Sequence, residues 1–489
     1  MKIAQRLISF CLAVNLLVFG MFVPSGYADD RPNIIVLLCD DLGFGDLSCY
    51  GHPHIRTPNL DKLAAGGVRY TDCYSAAPVC SPSRVGLLTG RSPNRAGVYD
   101  WIPPAGKPRP DAREQVHMRR SEVTIPQLLK EAGYQTCLAG KWHCNSRFNH
   151  KDQPQPGDFG FDHWLATQNN AAPSHKNPTN FVRNGTAVGP VDGYSCQIVV
   201  DEALAWLREK RKPDQPFFMF IPFHEPHEPV ASPENLVEKY RDVATTLDEA
   251  QYFANVENVD LAVGKLLHSL EEWKLRENTL VVFTSDNGPE TLNRYRNANR
   301  SYGRPGPLRG MKLHTHEAGF HVVGIMNWPE KIATGKVVNT PVSSLDFLPT
   351  FCRLADREIP SGLKLDGTDL RPSWSGESIN RAKPLVWAYF NALNEAQVAM
   401  RDGRWKVLAR LNGGKIKRMP NVSNKTVDLL AKAKLTDWEI YDLQTDPSEK
   451  VNLATTRPEL TQKLSAKLTS EYRELVTHSH VWQVAPSSE

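Results

Sequence analysis

Apolar residues fall along this chain in two rhythms. Asn33 to Cys39 (N-I-I-V-L-L-C), Phe217 to Phe223 (F-F-M-F-I-P-F) and Thr279 to Phe283 (T-L-V-V-F) are continuous runs without polar alternation, which predicts strands buried on both faces. Thr124 to Ala132, Val199 to Lys210 and Glu249 to Trp273 instead repeat their apolar positions at i, i+3/i+4, which predicts amphipathic helices. Strands alternating with helices predict an α/β fold: a large doubly wound, mixed or parallel sheet flanked by helices. The strands also end in reactive side chains, namely Asp40-Asp41, His224 and Ser285-Asp286-Asn287. Such residues come together at the carboxyl edge of an open α/β sheet, where these folds bind ligands.

Beyond about residue 370 the pattern changes. Val398 to Met400 and Trp405 to Leu408 flank Arg401-Asp402-Gly403-Arg404, whose Asp-Gly pair signals a hairpin. Trp438 to Tyr441 reads as a further strand, and Pro458 to Val476 as a helix. We therefore expect a large domain over residues 29–372 and a smaller α+β unit over 373–489, with a short antiparallel sheet closed by a helix. Residues 100–120 and 150–196 are rich in Pro, Gly, Asn and basic residues without periodicity, and read as long surface loops.

At the N-terminus, Lys2 and Arg6 precede the apolar run Leu7 to Val23, and Gly26-Tyr27-Ala28 places small residues where a signal peptidase reads. Residues 1–28 are expected to be a signal peptide. The mature chain would be exported to a periplasmic or secreted location, with no stable membrane span after cleavage. The formal net charge of +4 gives no reason to propose a nucleic-acid partner, although it would not repel an anionic substrate. Eight cysteines follow the leader, too few for a disulfide scaffold at this length, and spacing assigns no pairs.

One of these cysteines has a distinctive context. In Cys80-Ser81-Pro82-Ser83-Arg84-Val85-Gly86-Leu87-Leu88-Thr89-Gly90-Arg91, Pro82 favours helix initiation, so Cys80 would sit where free amide N–H groups and the positive end of the helix dipole face an anion. Physical reasoning alone leaves two readings, an anion site with a reactive thiol or a buried structural cysteine. The extended motif, C-x-P-x-R followed by G-L-L-T-G-R, resembles the signature of the formylglycine-dependent type I sulfatases of the alkaline phosphatase superfamily. The resemblance implies that Cys80 is oxidised to 3-oxoalanine (formylglycine) by a formylglycine-generating maturation enzyme, and that the hydrated aldehyde is the nucleophile. A second hydroxyl on the same carbon lets the sulfated intermediate collapse, whereas a serine sulfate would be trapped.

The other elements of that family follow in order. Asp40-Asp41-Leu42-Gly43-Phe44-Gly45-Asp46 is similar to its metal-binding D-D-x-G-x-G-D stretch, and Ser285-Asp286-Asn287-Gly288 to the second half of that site. The resemblance implies one cation held by Asp40, Asp41, Asp286 and Asn287 beside the group made from Cys80. An oxygen-only donor set suits Ca²⁺, or Mg²⁺, rather than Zn²⁺. Gly140-Lys141-Trp142-His143 resembles G-K-W-H, implying that Lys141 contacts sulfate and His143 the formylglycine hydroxyl. Lys312 matches a second sulfate-binding lysine. His224-Glu225-Pro226-His227 looks like the H-x-P-H element, implying that His224 protonates the leaving alcohol, with His227 in the substrate pocket. Arg84 would orient the nucleophile.

Substrate contacts are expected from loops 99–120 and 167–184, which carry Trp101, His117, Arg119, Asn169, Asn170, His175 and Arg183, and from His316 and His321, where the chain departs from the family's usual residues. The resemblance implies a sulfuric ester hydrolase of the arylsulfatase or N-acetylgalactosamine-sulfatase kind, acting on a sulfated glycan or an aryl sulfate. Two alternatives stay open: a formylglycine-dependent phosphonate or phosphate ester hydrolase, and an unmodified glycan-binding pseudoenzyme.

Overall fold

The computed structural model describes residues 31–106, 109–291, 299–393, 395–416 and 418–484. The expected signal peptide, residues 1–28, lies outside the described residues. Among these residues, no helix is long and apolar enough to cross a membrane.

The three apolar runs form adjacent central strands. Asn33–Asp40 pairs in parallel with Phe217–Pro226 on one side and Thr279–Ser285 on the other, and Gln135–Lys141 and His163–Thr167 continue the parallel array. On the far flank, His321–Asn327 runs antiparallel to Thr279–Ser285 and to Val68–Tyr74, which makes the 11-stranded sheet mixed. The short strands Val182–Arg183 and Thr186–Ala187 extend the other edge. Residues 150–196 are therefore not loop throughout: five residues of His163–Thr167 pair with Gln135–Lys141, a run too short to stand out among its polar neighbours.

Both faces of the central strand are buried. Ile34, Val36 and Leu38 enter one core, with the helices Cys80–Thr89, Ile125–Glu131 and Phe347–Leu354. Ile35, Leu37 and Cys39 enter the other, under Pro58–Ala65, Ser195–Glu209 and Leu247–Glu272. Period-2 alternation across a two-sided layer explains why the run shows no polar positions. The fold is the expected doubly wound α/β arrangement. Cys39 pairs with Ser285, and Asp40 with Pro226, so Asp40, Asp286 and His227 emerge at one carboxyl edge.

A second, antiparallel sheet in the order Leu385–Tyr389, Gln397–Asp402, Trp405–Leu411, Leu435–Asp442 carries the expected hairpin at Gly403-Arg404, and the helix Pro458–Thr477 packs against it. It is fastened to the large sheet by stacking and by buried charge. The Trp387 and Phe320 rings lie 4.0 Å apart and parallel, and the Trp387 indole N–H donates to Ser75 O at 2.9 Å. Lys406, fully buried, lies 2.8 Å from Glu317 and 3.5 Å from Glu449. His321 Nδ1 is 3.0 Å from the same Glu317, and its Nε2 faces Thr71 O at 2.6 Å. Burial alone would raise the Glu317 carboxyl, but Lys406 and His321 outweigh it and hold it well below the usual range. His321 is therefore held within the large domain by Glu317 and Thr71 O and is not the pocket residue expected from its position.

All eight described cysteines are unpaired, and seven of them are buried. Removing one partner of a buried ion pair strands the other charge, so Lys406→Ala is expected to cost about 3–5 kcal/mol, and Lys406→Met, which refills the volume but removes the charge that Glu317 and Glu449 share, a similar amount. Denaturant midpoints at neutral pH measure this; loss of under about 1 kcal/mol for Lys406→Ala would show that the contact does not fasten the sheets.

Candidate active site

The site forms where strand ends and one helix start converge. Asp40 closes its strand, and Asp41 follows in the left-handed region (φ 66°), which turns its carboxylate back towards the sheet edge. Its backbone N–H donates to Asp286 Oδ1 at 3.3 Å, while Asn287 Nδ2 donates to Asp41 Oδ1 at 2.7 Å. Gly288 lets this edge approach the segment that carries Lys312: a Cβ there would lie 1.6 Å from Ala318 O. Asp46 holds the loop, accepting from Gly43 N, Arg304 N and the Tyr252 hydroxyl at 2.7–2.9 Å, so its role is structural.

Cys80 opens the fully buried helix Cys80–Thr89. One turn on, Arg84 reaches Asp286 through Nε at 2.9 Å and Nη2 at 2.7 Å, and donates from Nη1 to Lys141 O at 2.8 Å. Lys141 Nζ sits 2.5 Å from Asp40 Oδ2, and Lys312 Nζ 2.7 Å from Asp41 Oδ2. Burial alone would raise the Asp40 and Asp41 carboxyls. For Asp40, Lys141, His227 and Arg84 outweigh burial and hold it well below its ordinary range; for Asp41, Lys312 and His227 outweigh burial and lower it. Asp286 is pushed the other way, by burial first and then by the Asp40 charge. The Cys80 thiol is pushed up to about 11 by burial, against the pull of Lys141 and Lys312. An unmodified Cys80 is therefore a neutral thiol at physiological pH and a weak nucleophile.

Asp40 Oδ1 and Asn287 Oδ1 are buried and accept no hydrogen bond. Unsatisfied acceptors beside paired carboxylates cost free energy unless something positive meets them, and an all-oxygen set fits a hard divalent cation. These residues therefore fit the implied cation.

A cavity of about 480 Å³ opens above this floor, lined by Val79, Cys80, Trp101, His143, Asn169, Asn170, His227, Glu228, Pro229, Lys312 and Leu313. His143, in the left-handed region (φ 52°), points Nε2 at Ile102 O at 3.0 Å and leaves Nδ1 without a partner. Burial first, then the Lys141 charge, holds it well below the usual histidine range. His227 Nε2 lies 3.5 Å from Asp41 Oδ2, and its Nδ1 donates to Glu228 O at 2.7 Å; burial, then Lys312, push it down to about 4.

Not every expected residue reaches this cavity. His224 still belongs to the strand Phe217–Pro226; its Nε2 faces Thr167 Oγ1 at 2.8 Å, and it does not line the wall. His227 lies just past the strand end, where the chain turns back through His227 N to His224 O at 3.1 Å, and so enters the cavity in its place. His175 is fully buried behind, with Nδ1 3.1 Å from Asn255 Nδ2 and 3.9 Å from Glu225. His316 sits 3.8 Å from Glu439 of the second sheet, and His321 is held by Glu317 and Thr71 O as described. Asn169 does line the cavity, as expected. Glu228 and Pro229 were not singled out from the sequence; the immediate repetition of His-Glu-Pro at residues 224–229 was the available signal.

Carboxylates able to hold a cation, surrounded by lysines and set at the carboxyl edge of a doubly wound sheet, form a centre suited to binding and hydrolysing an anionic ester. Comparison narrows the class. The family model described as Sulfatase matches residues 32–357, and a model described as N-sulphoglucosamine sulphohydrolase, C-terminal, matches residues 311–477. Human arylsulfatase A is 34% identical over 470 residues, covering 88% of this chain and 86% of that protein. N-acetylgalactosamine-6-sulfatase of Canis lupus familiaris is 34% identical over 364 residues, covering 71% and 67%. The crystal structure of Ps i-CgsB in complex with k-i-k-neocarrahexaose superposes with a TM-score of 0.76 at 26% identity, covering 92% of this chain and 94% of that one. The chain belongs to the sulfatase family, type I, and is a sulfuric ester hydrolase.

The oxygen-only floor predicts a stability response to hard cations. Adding Ca²⁺ or Mg²⁺ at about 100 times its dissociation constant to chelator-treated protein should stabilise it by about 2.7 kcal/mol, read as a rise in melting temperature. Asn287→Ala should weaken that response; no rise with either ion would refute the assignment of these four residues.

Proposed function

We propose that this sulfatase removes sulfate from sulfated carbohydrates, using formylglycine made from Cys80 beside one cation, Ca²⁺ in preference to Mg²⁺, held by Asp40, Asp41, Asp286 and Asn287. The observation that carries this reading is the position of Cys80: it starts a buried helix, opens into the cavity, and has Lys312, His143 and His227 on the same wall. A neutral thiol there is a poor reagent, which supports conversion of the side chain. A cation held by Asp40, Asp41, Asp286 and Asn287 would supply positive charge for the sulfuryl oxygens, and formylglycine at position 80 would, once hydrated, supply a hydroxyl nucleophile.

The chain's own residues do the rest. Arg84 is locked by Asp286 and Lys141 O and fixes the helix start that presents position 80. Lys312, on the cavity wall, holds sulfuryl oxygens with preorganised positive charge, the form of stabilisation that is worth most in a buried site, while Lys141, buried on Asp40 beneath the wall, supports the charge balance of the floor. His143, with Nδ1 free of other partners, is placed to take a proton beside position 80. We assign proton donation to the departing alcohol oxygen to His227 Nε2 in place of His224, because His227 is on the cavity wall. Binding of the sulfate's negative charge beside the ring favours its protonated form. The carbohydrate substrate is supported by the similarity to N-acetylgalactosamine-6-sulfatase and to the structure crystallised with neocarrahexaose.

Two experiments test this reading. In protein coexpressed with a maturation enzyme, mass spectrometry should find the Cys80 peptide as the aldehyde, and Cys80→Ala should abolish turnover; steady turnover by protein whose Cys80 remains a thiol would sink the proposal. His227→Ala should lower kcat on alcohol-derived sulfates by about 10²–10⁴-fold, with a much smaller loss on 4-nitrophenyl sulfate, whose phenolate departs unprotonated. Equal losses on both substrates would remove His227 from the acid role.

A further inference from the structure

The cavity wall beyond the charged floor has a polarity of its own. Asn170 Nδ2 donates to Glu228 O at 2.8 Å, which fixes the amide orientation and leaves Oδ1 as a buried acceptor without a partner. Asn169 Oδ1 is also buried and unpartnered. Glu228 is pinned, with Oε1 accepting from Arg300 N at 2.6 Å and Oε2 from Val230 N at 3.0 Å, and each carboxylate oxygen keeps a further lone pair. Beside them Trp101 presents an aromatic surface, stiffened by the Arg113 guanidinium 5.0 Å from its ring, which is itself held by Asp100 at 2.7 Å.

We propose that Asn170, Glu228 and Trp101, with Asn169, form a hydroxyl-reading subsite that accepts a neutral sugar ring bearing a single sulfate and rejects a ring with a second anionic group. The inference deepens the sulfatase reading above and rests on it. Unsatisfied buried acceptors are met only by a ligand that brings donors, and the hydroxyls of a hexose are such donors. The Trp101 face suits the apolar face of the ring, as aromatic side chains do in polar pockets. The Glu228 carboxylate repels a second sulfate or a uronate placed against it, so the cavity is cationic at the Lys312 end and acceptor-lined at Asn169, Asn170 and Glu228.

The test compares three substrates with the matured, cation-loaded enzyme: a neutral hexose monosulfate, the same hexose disulfated, and an alicyclic alkyl sulfate with no free hydroxyl. The alkyl sulfate shares the alcohol leaving group, so its comparison isolates hydroxyl reading from acid catalysis by His227. Because each ratio is taken on one preparation, a partly misfolded variant does not distort it. Wild type should favour the hexose monosulfate over the alkyl sulfate in kcat/KM by at least about 10²-fold, since a site built for hydroxyls discriminates strongly against their loss. Asn170→Ala should reduce that ratio about tenfold, and Glu228→Gln should raise the relative rate on the disulfated hexose about tenfold. An unchanged ratio in either variant overturns the role given to that residue, and a wild type indifferent to hydroxyls overturns the subsite. No sulfate release from any of the three would overturn the carbohydrate-sulfatase reading itself, and this inference with it.

Discussion

Everything at this site depends on keeping several charges together inside a protein interior. Asp40, Asp41 and Asp286 are buried, and each would cost several kcal/mol in isolation. They persist because Lys141, Lys312 and Arg84 meet them at 2.5–2.9 Å. Three carboxylates face three cationic side chains, so the side chains alone approach neutrality. A cation at the two unsatisfied oxygens of Asp40 and Asn287 would supply the surplus positive charge that draws an oxyanion. Balance also explains why Arg84 is fully buried: its three contacts, to Asp286, Asp40 and Lys141 O, tie the helix start to three strand ends.

That constraint reaches into the fold. Converging charged groups from separate strands requires each strand to end at the same edge, which the parallel register of Asn33–Asp40 with its two neighbours provides. It also requires the segment carrying Lys312 to stay close, and Glu317, five residues on, anchors that segment to Lys406 of the second sheet. The Glu317 backbone N–H further donates to Glu449 at 2.8 Å. The second sheet is thus a clamp on the polypeptide that carries Lys312.

What could be read in advance follows the range of the interactions. The three central strands, the helices and the acidic strand ends were legible because apolar period and the residue at the end of a run are local properties. The floor was legible because each of its members sits in a short motif. The histidines were not. His224 and His227 lie three residues apart, and choosing between them requires knowing where the strand stops, which periodicity does not resolve. His175, His316 and His321 looked available from the sequence, yet their partners are Asn255, Glu439 and Thr71, far away along the chain. Glu228 had only the repeated His-Glu-Pro to mark it, and the unpartnered oxygen of Asn170 is a feature of tertiary geometry.

The boundary between the two halves of the cavity is set by a single carbonyl. Glu228 O accepts from His227 Nδ1 at 2.7 Å and from Asn170 Nδ2 at 2.8 Å. The ring assigned to the leaving oxygen and the amide assigned to the ring hydroxyls are therefore oriented by one backbone atom. With Nδ1 committed to that carbonyl, Nε2 is the nitrogen that can face the substrate, and its direction is fixed by the same contact that aims Asn170 Oδ1. A shift of this strand-end turn would misplace proton donor and hydroxyl acceptor together. A sugar that fails to satisfy the acceptors would then also sit badly for proton transfer, which couples selectivity to rate without a moving part.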